Sequence, residues 1–147
     1  IPNTVKKATK SAYNLGADFL TIHIASGKDA LQEASSSKND SLKILGVSQA
    51  LTSSTMDAKI SKGVSKDFLL AKQCGVDGVI CPPSEIERTK NLYDLIVTPG
   101  IRLNNDTKDN QKNITTPENA IIAGAKYIVM GRSIINNLDY VMNELDI

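Results

Sequence analysis

The stretch "AGAKYIVMGRSI", residues 123–134, decides the fold. Gly124 closes a helical pattern, where a glycine in the left-handed conformation commonly ends a helix. A small residue and a lysine follow, then the apolar run Tyr127-Ile128-Val129-Met130, then Gly131 and Arg132. The first half recurs in "LGADFLT" (15–21) and "CGVDGVI" (74–80). Each copy is a glycine, a small apolar residue, a polar residue and a β-rich run. A helix-to-strand joint repeated three times describes an alternating α/β chain.

Working outward, the apolar runs 18–24, 42–48, 76–81, 94–98 and 126–130 are expected to be strands. They do not alternate with polar residues, which fits parallel strands covered on both faces. About six helices fall between and around them. Val5, Ala8, Ala12 and Leu15 share one face of the first, with Asn3 or Thr4 as its cap and Pro2 before it. Ala30, Leu31 and Ala34 mark the second, Phe68 and Leu69 the third, and Ile86 with Leu92 the fourth. "TTPENAIIAG" (115–124) places Thr before Pro before Glu, a helix start. Ile134, Ile135, Leu138, Val141, Met142 and Leu145 form the apolar stripe of the last. Five strand-helix units suit an open doubly wound sheet or a fragment of an eight-stranded barrel, and pattern alone does not choose. The chain reads as one domain over residues 1–147, with "SSSKND" (35–40) as a polar turn.

Composition narrows the function classes. The chain has 147 residues, 41% hydrophobic and 22% charged, with a net charge of +1. That balance gives no basic arm for nucleic acid and no polybasic membrane patch. No apolar run approaches the ~20 residues of a membrane-spanning helix. Cys74 and Cys81 make no disulfide framework and are expected to pack as small hydrophobes in a reducing cytoplasm. His23, the single histidine, lies in an apolar run and is expected to be a hydrogen-bonded core residue; no metal site is expected around it.

In parallel α/β folds, chemistry gathers where strands end and helices begin. There "VTPGIR" (97–102) and "GRS" (131–133) each offer a glycine and an arginine. Glycine lets a ligand approach backbone amides, and arginine adds a forked, permanently charged donor. The chain holds three arginines against fourteen lysines, and two of the three are Arg102 and Arg132. Phosphate binding is the sharper inference; a pair of surface arginines beside turns is the plainer one. Between them runs the polar segment 103–116, a candidate lid from which Gln111 can reach a phosphate oxygen. Its "DTKD" (106–109) is set aside, since a solvated loop does not preorganise charges. Thr52 and Ser53 in "QALTSST" (49–55) suit either a ligand edge or a helix cap.

Taken in order, "IPNT" (1–4), "ALTS" (50–53), "VTPGIR" (97–102), "DNQK" (109–112), "TPENAI" (116–121) and "VMGRSI" (129–134) resemble the bacterial type of orotidine 5′-phosphate decarboxylase along the whole chain. The resemblance implies a (β/α)8 TIM barrel, here incomplete, that dimerises with a second copy. It implies decarboxylation of orotidine 5′-phosphate to uridine 5′-phosphate, a small nucleotide substrate, without metal or organic cofactor; a related sugar-phosphate decarboxylase or synthase barrel, or a non-catalytic phosphate-binding module, is the alternative. By match to the motifs, Arg132 and the Gly131 amide would grip the 5′-phosphate and Gln111 would close over it. Arg102 would join the phosphate site, Pro99 would pack on the pyrimidine and Thr52 would bond its edge. Thr4 would reach the partner's ribose. The departure is that the family's Asp-x-Lys-x-x-Asp, which directly precedes Ile-Pro-Asn-Thr, occurs nowhere in these residues. No catalytic residue is therefore expected in the chain; the lysine and aspartates are expected just before Ile1. The chain is expected to be the C-terminal part of a barrel, and segment 54–66 looks short for the family.

Overall fold

The three repeated joints fold identically. Gly16, Gly75 and Gly124 have φ of 79°, 81° and 120°. In each, the glycine amide donates to the residue three before it and the next amide reaches back five: Gly16 to Tyr13 and Ala17 to Ala12, Gly75 to Lys72 and Val76 to Ala71, Gly124 to Ile121 and Ala125 to Ala120, all at 3.0–3.1 Å. This paired closure satisfies the last carbonyls of a helix and turns the chain into the next strand. The polar residue that follows starts the ladder. The Lys43 amide donates to the Asp18 carbonyl at 2.8 Å, and Lys126 donates to Ile96 at 2.8 Å. Asp77 accepts from the Ile44 amide at 2.7 Å and from Lys38 at 3.0 Å.

The computed structural model describes residues 1–52, 58–103 and 114–144. Its strands are β1 (Phe19–His23), β2 (Lys43–Val47), β3 (Gly78–Ile80), β4 (Ile96–Thr98) and β5 (Tyr127–Ile128). They form one sheet in the order β1-β2-β3-β4-β5, and every neighbouring pair is parallel. The helices are α1 (Pro2–Asn14), α2 (Lys28–Ser37), a short α3 (Gln49–Thr52), α4 (Ala58–Gln73), α5 (Ile86–Thr89), α6 (Pro117–Ala123), α7 (Arg132–Asn136) and α8 (Leu138–Glu144). The five expected strands and six expected helices are there, with α3 added and the last helix divided at Asn137.

Two local expectations are corrected. Neither Asn3 nor Thr4 caps α1: the helix starts at Pro2 with Ile1 as its cap residue, and the Thr4 amide already donates to the Ile1 carbonyl at 3.0 Å. Proline suits that first position because its missing N–H would have had no partner. The buried stripe of α1 is Val5, Thr9, Ala12 and Tyr13, while Leu15 is exposed. Thr9 can be buried because its hydroxyl donates to the Val5 carbonyl at 3.0 Å. By contrast α6 starts as its sequence indicates, with Thr116 accepting from the Asn119 amide and Pro117 in the first turn.

The sheet has two unlike faces. Leu20, Ile22, Ile44, Val79, Ile96 and Ile128 pack with Leu31, Ala34, Phe68, Ala71, Ile86 and Ala120 of the helices in the main core. The opposite face carries Phe19, Thr21, His23, Leu45, Val47, Gly78, Ile80, Val97 and Tyr127, as the residue pairing requires. That face is concave. Phe19 on β1 and Tyr127 on β5 belong to the two outermost strands, yet their rings meet edge to face with centroids 5.6 Å apart. The register shows what closure this implies. Following the pairs from Tyr127 through Val97, Ile80 and Val47 leads to His23, four residues beyond Phe19. A stagger of four over four strand steps is half of the shear of 8 that an eight-stranded barrel has over a full turn. First and fifth staves then stand opposite each other and their inward side chains meet on the axis. The fold is an incomplete (β/α) barrel. The choice that sequence pattern left open falls to the barrel.

Candidate functional site

Parallel strands deliver all their following loops to one end, and the two arginine loops leave from neighbours there. Thr98 pairs with Ile128, and the Val129 amide donates to the Thr98 carbonyl at 2.9 Å. Adjacent strands lie about 4.8 Å apart, so "TPGIR" and "GRS" emerge side by side. The β4 end is stitched firmly. The buried Thr98 hydroxyl donates to the Cys81 carbonyl at 2.8 Å, tying β4 to the end of β3. Gly100 turns the chain with φ 80°. Ile101 then bridges Thr115 in parallel, the Arg102 amide donates to the Thr115 carbonyl at 2.9 Å, and the Thr115 amide donates to Gly100 at 3.2 Å. This bridge joins the two ends of the polar segment that carries Gln111, which itself lies outside the described residues.

Arg102 is half-buried, and its Nη1 donates to the Ile101 carbonyl at 2.8 Å. Arg132 is exposed at the first position of α7. The Gly131 carbonyl accepts from the Ile134 and Ile135 amides at 3.1 Å each, so it serves as the first acceptor of that helix. A side chain at Gly131 would meet nothing within 4 Å. With five residues, α7 contributes little dipole, and the guanidinium groups are the main source of positive charge here. Pro99 is partly exposed beside Gly100. Thr52 ends α3, next to β2; its side chain lies outside the described part of the structure, as do Ser53 and residues 106–109. Thr4 is exposed on the first turn of α1, far along the chain from both loops. Pro99, Arg102, Gly131 and Arg132 thus share one rim.

Two polar features differ from, or were absent from, the reading of the sequence. His23 is exposed, not a core residue: it closes β1 on the concave face, while its neighbour Ile24 takes the core position. The signal lay in the alternation of "TIHI", with Thr21 and His23 on one face and Ile22 and Ile24 on the other. Glu85, which the sequence reading passed over, is 1% exposed in the turn after β3, with Oε1 3.6 Å from Arg88 and Oε2 without a hydrogen-bond partner. Burial raises its pKa above the ordinary carboxylate value, and Arg88 only partly offsets this. Its sequence signal is slight, an acid two residues after a Pro-Pro turn. Next to it, Cys81 is fully buried and its thiol is pushed up to about 12, by burial first and by Glu85 as well, against a hydrogen bond with Thr89. Such a thiol is no nucleophile at neutral pH. Both cysteines are free and buried, and both pack in the main core. Among the described residues no helix is long and apolar enough to cross a membrane.

Comparison with known proteins fits this strand-end geometry. A family model matches residues 1–142, that of the orotidine 5′-phosphate decarboxylase / HUMPS family. The chain belongs to that family. A protein of Listeria monocytogenes named orotidine 5′-phosphate decarboxylase is 38% identical over 151 residues, covering 91% of this chain and 65% of its own length. One from Buchnera aphidicola subsp. Schizaphis graminum is 38% identical over 147 residues, covering 91% of this chain and 62% of its own length. The chain therefore spans a little under two thirds of these relatives. A second Buchnera relative, 35% identical, aligns over 173 residues with 99% of this chain. That is more positions than the 147 residues here, so the relative carries residues inside the matched region that this chain does not. Among solved structures, orotidine 5′-phosphate decarboxylase from Lactobacillus acidophilus superposes with a TM-score of 0.73 at 27% identity, covering 99% of this chain and 69% of that one. Membership in the decarboxylase family agrees with the barrel geometry worked out from the register.

Proposed function

We propose that this chain is the C-terminal, substrate-gripping part of a TIM-barrel orotidine 5′-phosphate decarboxylase, which converts orotidine 5′-phosphate to uridine 5′-phosphate in pyrimidine biosynthesis. The observation that carries the proposal is the pairing of two Gly-Arg loops on adjacent strand ends, in a chain of this family. Arg132, the Gly131 amide and Arg102 hold the 5′-phosphate, and Gln111 closes over it. Pro99 packs against the pyrimidine and Thr52 bonds its edge. Thr4 reaches a partner's ribose in a cytoplasmic homodimer. No metal or organic cofactor takes part.

The reaction breaks the bond between C6 and the carboxylate; carbon dioxide leaves, and the electron pair left on C6 takes a proton. The family's lysine and aspartate motif, which would supply that proton and crowd the carboxylate, does not occur in these 147 residues. On this proposal it comes from residues outside the chain, and the chain's own residues do the binding. The division is physically sensible. Binding energy from a phosphate that does not react can order loops and hold the pyrimidine in a reactive position. The test is turnover by the full-length protein. Arg132→Ala removes one partner of a charged, hydrogen-bonded contact, which costs about 2–5 kcal/mol. That corresponds to a fall in kcat/KM of roughly one and a half to four powers of ten. Unchanged kcat/KM on orotidine 5′-phosphate would place the phosphate elsewhere.

A further inference from the structure

His23 has no part in the scheme above, yet its position is defined. It lies on the concave face of β1, exposed, at the end of the strand that points to the arginine rim. Its height follows from two facts. Phe19 and Tyr127 touch across the axis, so they occupy one level of the barrel. From that level, four residues along β1 reach His23, and four along the chain from Tyr127 reach Gly131. β1 is extended over all four steps and rises about 3.3 Å per residue; β5 spans Tyr127–Ile128 and the chain runs on through Val129 and Met130 to Gly131 at the same end of the sheet. The inward alternation holds on both sides: Thr21 and Val129 are the exposed inner residues of the level between, while Ile22 and Met130 pack into the outer core. His23 and Gly131 therefore face each other across the mouth, which at the lower level is spanned by two opposed aromatic side chains. The imidazole carries one donor and one acceptor in its neutral form, and among the described residues nothing bonds to it.

We propose that His23 is a second anchor of the substrate, hydrogen-bonding the nucleoside part of a nucleoside monophosphate from the rim opposite the phosphate grip. This rests on the phosphate lying at Gly131 and Arg132. A ligand pinned there by its phosphate extends inward across the mouth, and its ribose hydroxyls and base edge are the polar groups that arrive at the far wall. Two opposed anchors fix the angle at which the base lies over the inner face of β2 and β3, which one charged contact at the phosphate does not.

The experiment is calorimetric titration of the full-length protein with uridine 5′-phosphate and, separately, with inorganic phosphate, for wild type, His23→Ala and His23→Asn. Steady-state turnover and thermal unfolding are measured on the same samples. His23→Ala is expected to weaken uridine 5′-phosphate about fivefold to tenfold, the worth of one neutral hydrogen bond. It should leave inorganic phosphate unchanged, raise KM in parallel and leave the unfolding midpoint within error, since the side chain is exposed. His23→Asn should recover part of the loss. Affinity for uridine 5′-phosphate within twofold of wild type would overturn the proposal. So would an equal loss for inorganic phosphate, or a lower kcat with KM and nucleotide affinity unchanged, which would place His23 in the chemical step. A wild type that neither binds uridine 5′-phosphate nor turns over orotidine 5′-phosphate would overturn the functional proposal itself, which variants alone cannot do.

Discussion

Gly78→Ala puts the barrel geometry to a quantitative test. A Cβ built on Gly78 lies 2.5 Å from the Leu95 carbonyl oxygen, 2.6 Å from Leu95 Cγ and 2.8 Å from Leu95 Cβ. Rotating the Leu95 side chain relieves only part of this. The carbonyl is backbone, and it accepts the Val79 amide at 2.9 Å, a ladder bond between β3 and the approach to β4. To restore ordinary contact, the strands must part by roughly 0.5–1 Å, the kind of overpacking that costs about 1–3 kcal/mol. Weakening the ladder bond adds about 1 kcal/mol. Alanine in place of glycine would otherwise stabilise an extended strand by roughly 0.5–1 kcal/mol, so the sign of the effect is itself informative. The net expectation is a loss of about 2–3 kcal/mol, which for a chain of this size lowers Tm by about 4–12 °C. Differential scanning calorimetry of the full-length wild type and variant reads this directly. A variant as stable as wild type, or more so, would mean that β3 and β4 do not approach as described and would undercut the register on which the barrel assignment rests.

Other outcomes follow from single residues. Gly131→Ala should leave Tm nearly unchanged, because its Cβ meets nothing within 4 Å, yet weaken uridine 5′-phosphate at least tenfold in titration by filling the space a phosphate would use; unaltered affinity would remove Gly131 from the grip. Gly16→Ala meets no neighbour either, but its φ of 79° makes it cost about 1–2 kcal/mol in a denaturant midpoint. For Glu85 the sign is set by its raised pKa. The folded state holds the proton more tightly than the unfolded one, so this carboxyl favours folding fully only below its unfolded pKa, and the benefit is lost as pH rises through the folded value. Glu85→Gln should therefore match wild type in acid and gain about 1 kcal/mol over it near pH 7, seen as a difference in Tm that grows with pH; a difference independent of pH would contradict a buried, poorly partnered carboxyl.

What could be read from the residues alone, and what could not, divides along physical lines. The three helix-to-strand joints were legible because a glycine in the left-handed region is a local requirement, and each folded as the repeat implied. Thr116 with Pro117 marked a helix start for the same reason. The two arginines were legible as a pair since strand ends are where a parallel sheet places ligands. The barrel was not legible from pattern, because closure depends on stagger between strands, a relation among residues as distant as Phe19 and Tyr127. His23 was misplaced because the run is apolar in aggregate, although Thr21 and His23 alternate with Leu20, Ile22 and Ile24 and so mark the face away from the core. Glu85 gave little warning, because burial of a carboxyl comes from the packing of α5 against the sheet and not from its neighbours in sequence. The break at Asn137, where φ is −145° and ψ 47°, divides a stripe whose apolar spacing runs on without interruption.

The most direct test of the account is a double-mutant cycle on Arg102 and Arg132 in the full-length protein, titrated with uridine 5′-phosphate and with uridine. If both guanidinium groups hold one phosphate, each alanine variant weakens the nucleotide by about 2–5 kcal/mol, the double variant departs from the sum by at least about 0.5 kcal/mol, and uridine binding is untouched by any of them. Additive losses, or equal losses for uridine, would show that the two arginines do not share a phosphate and would contradict the site.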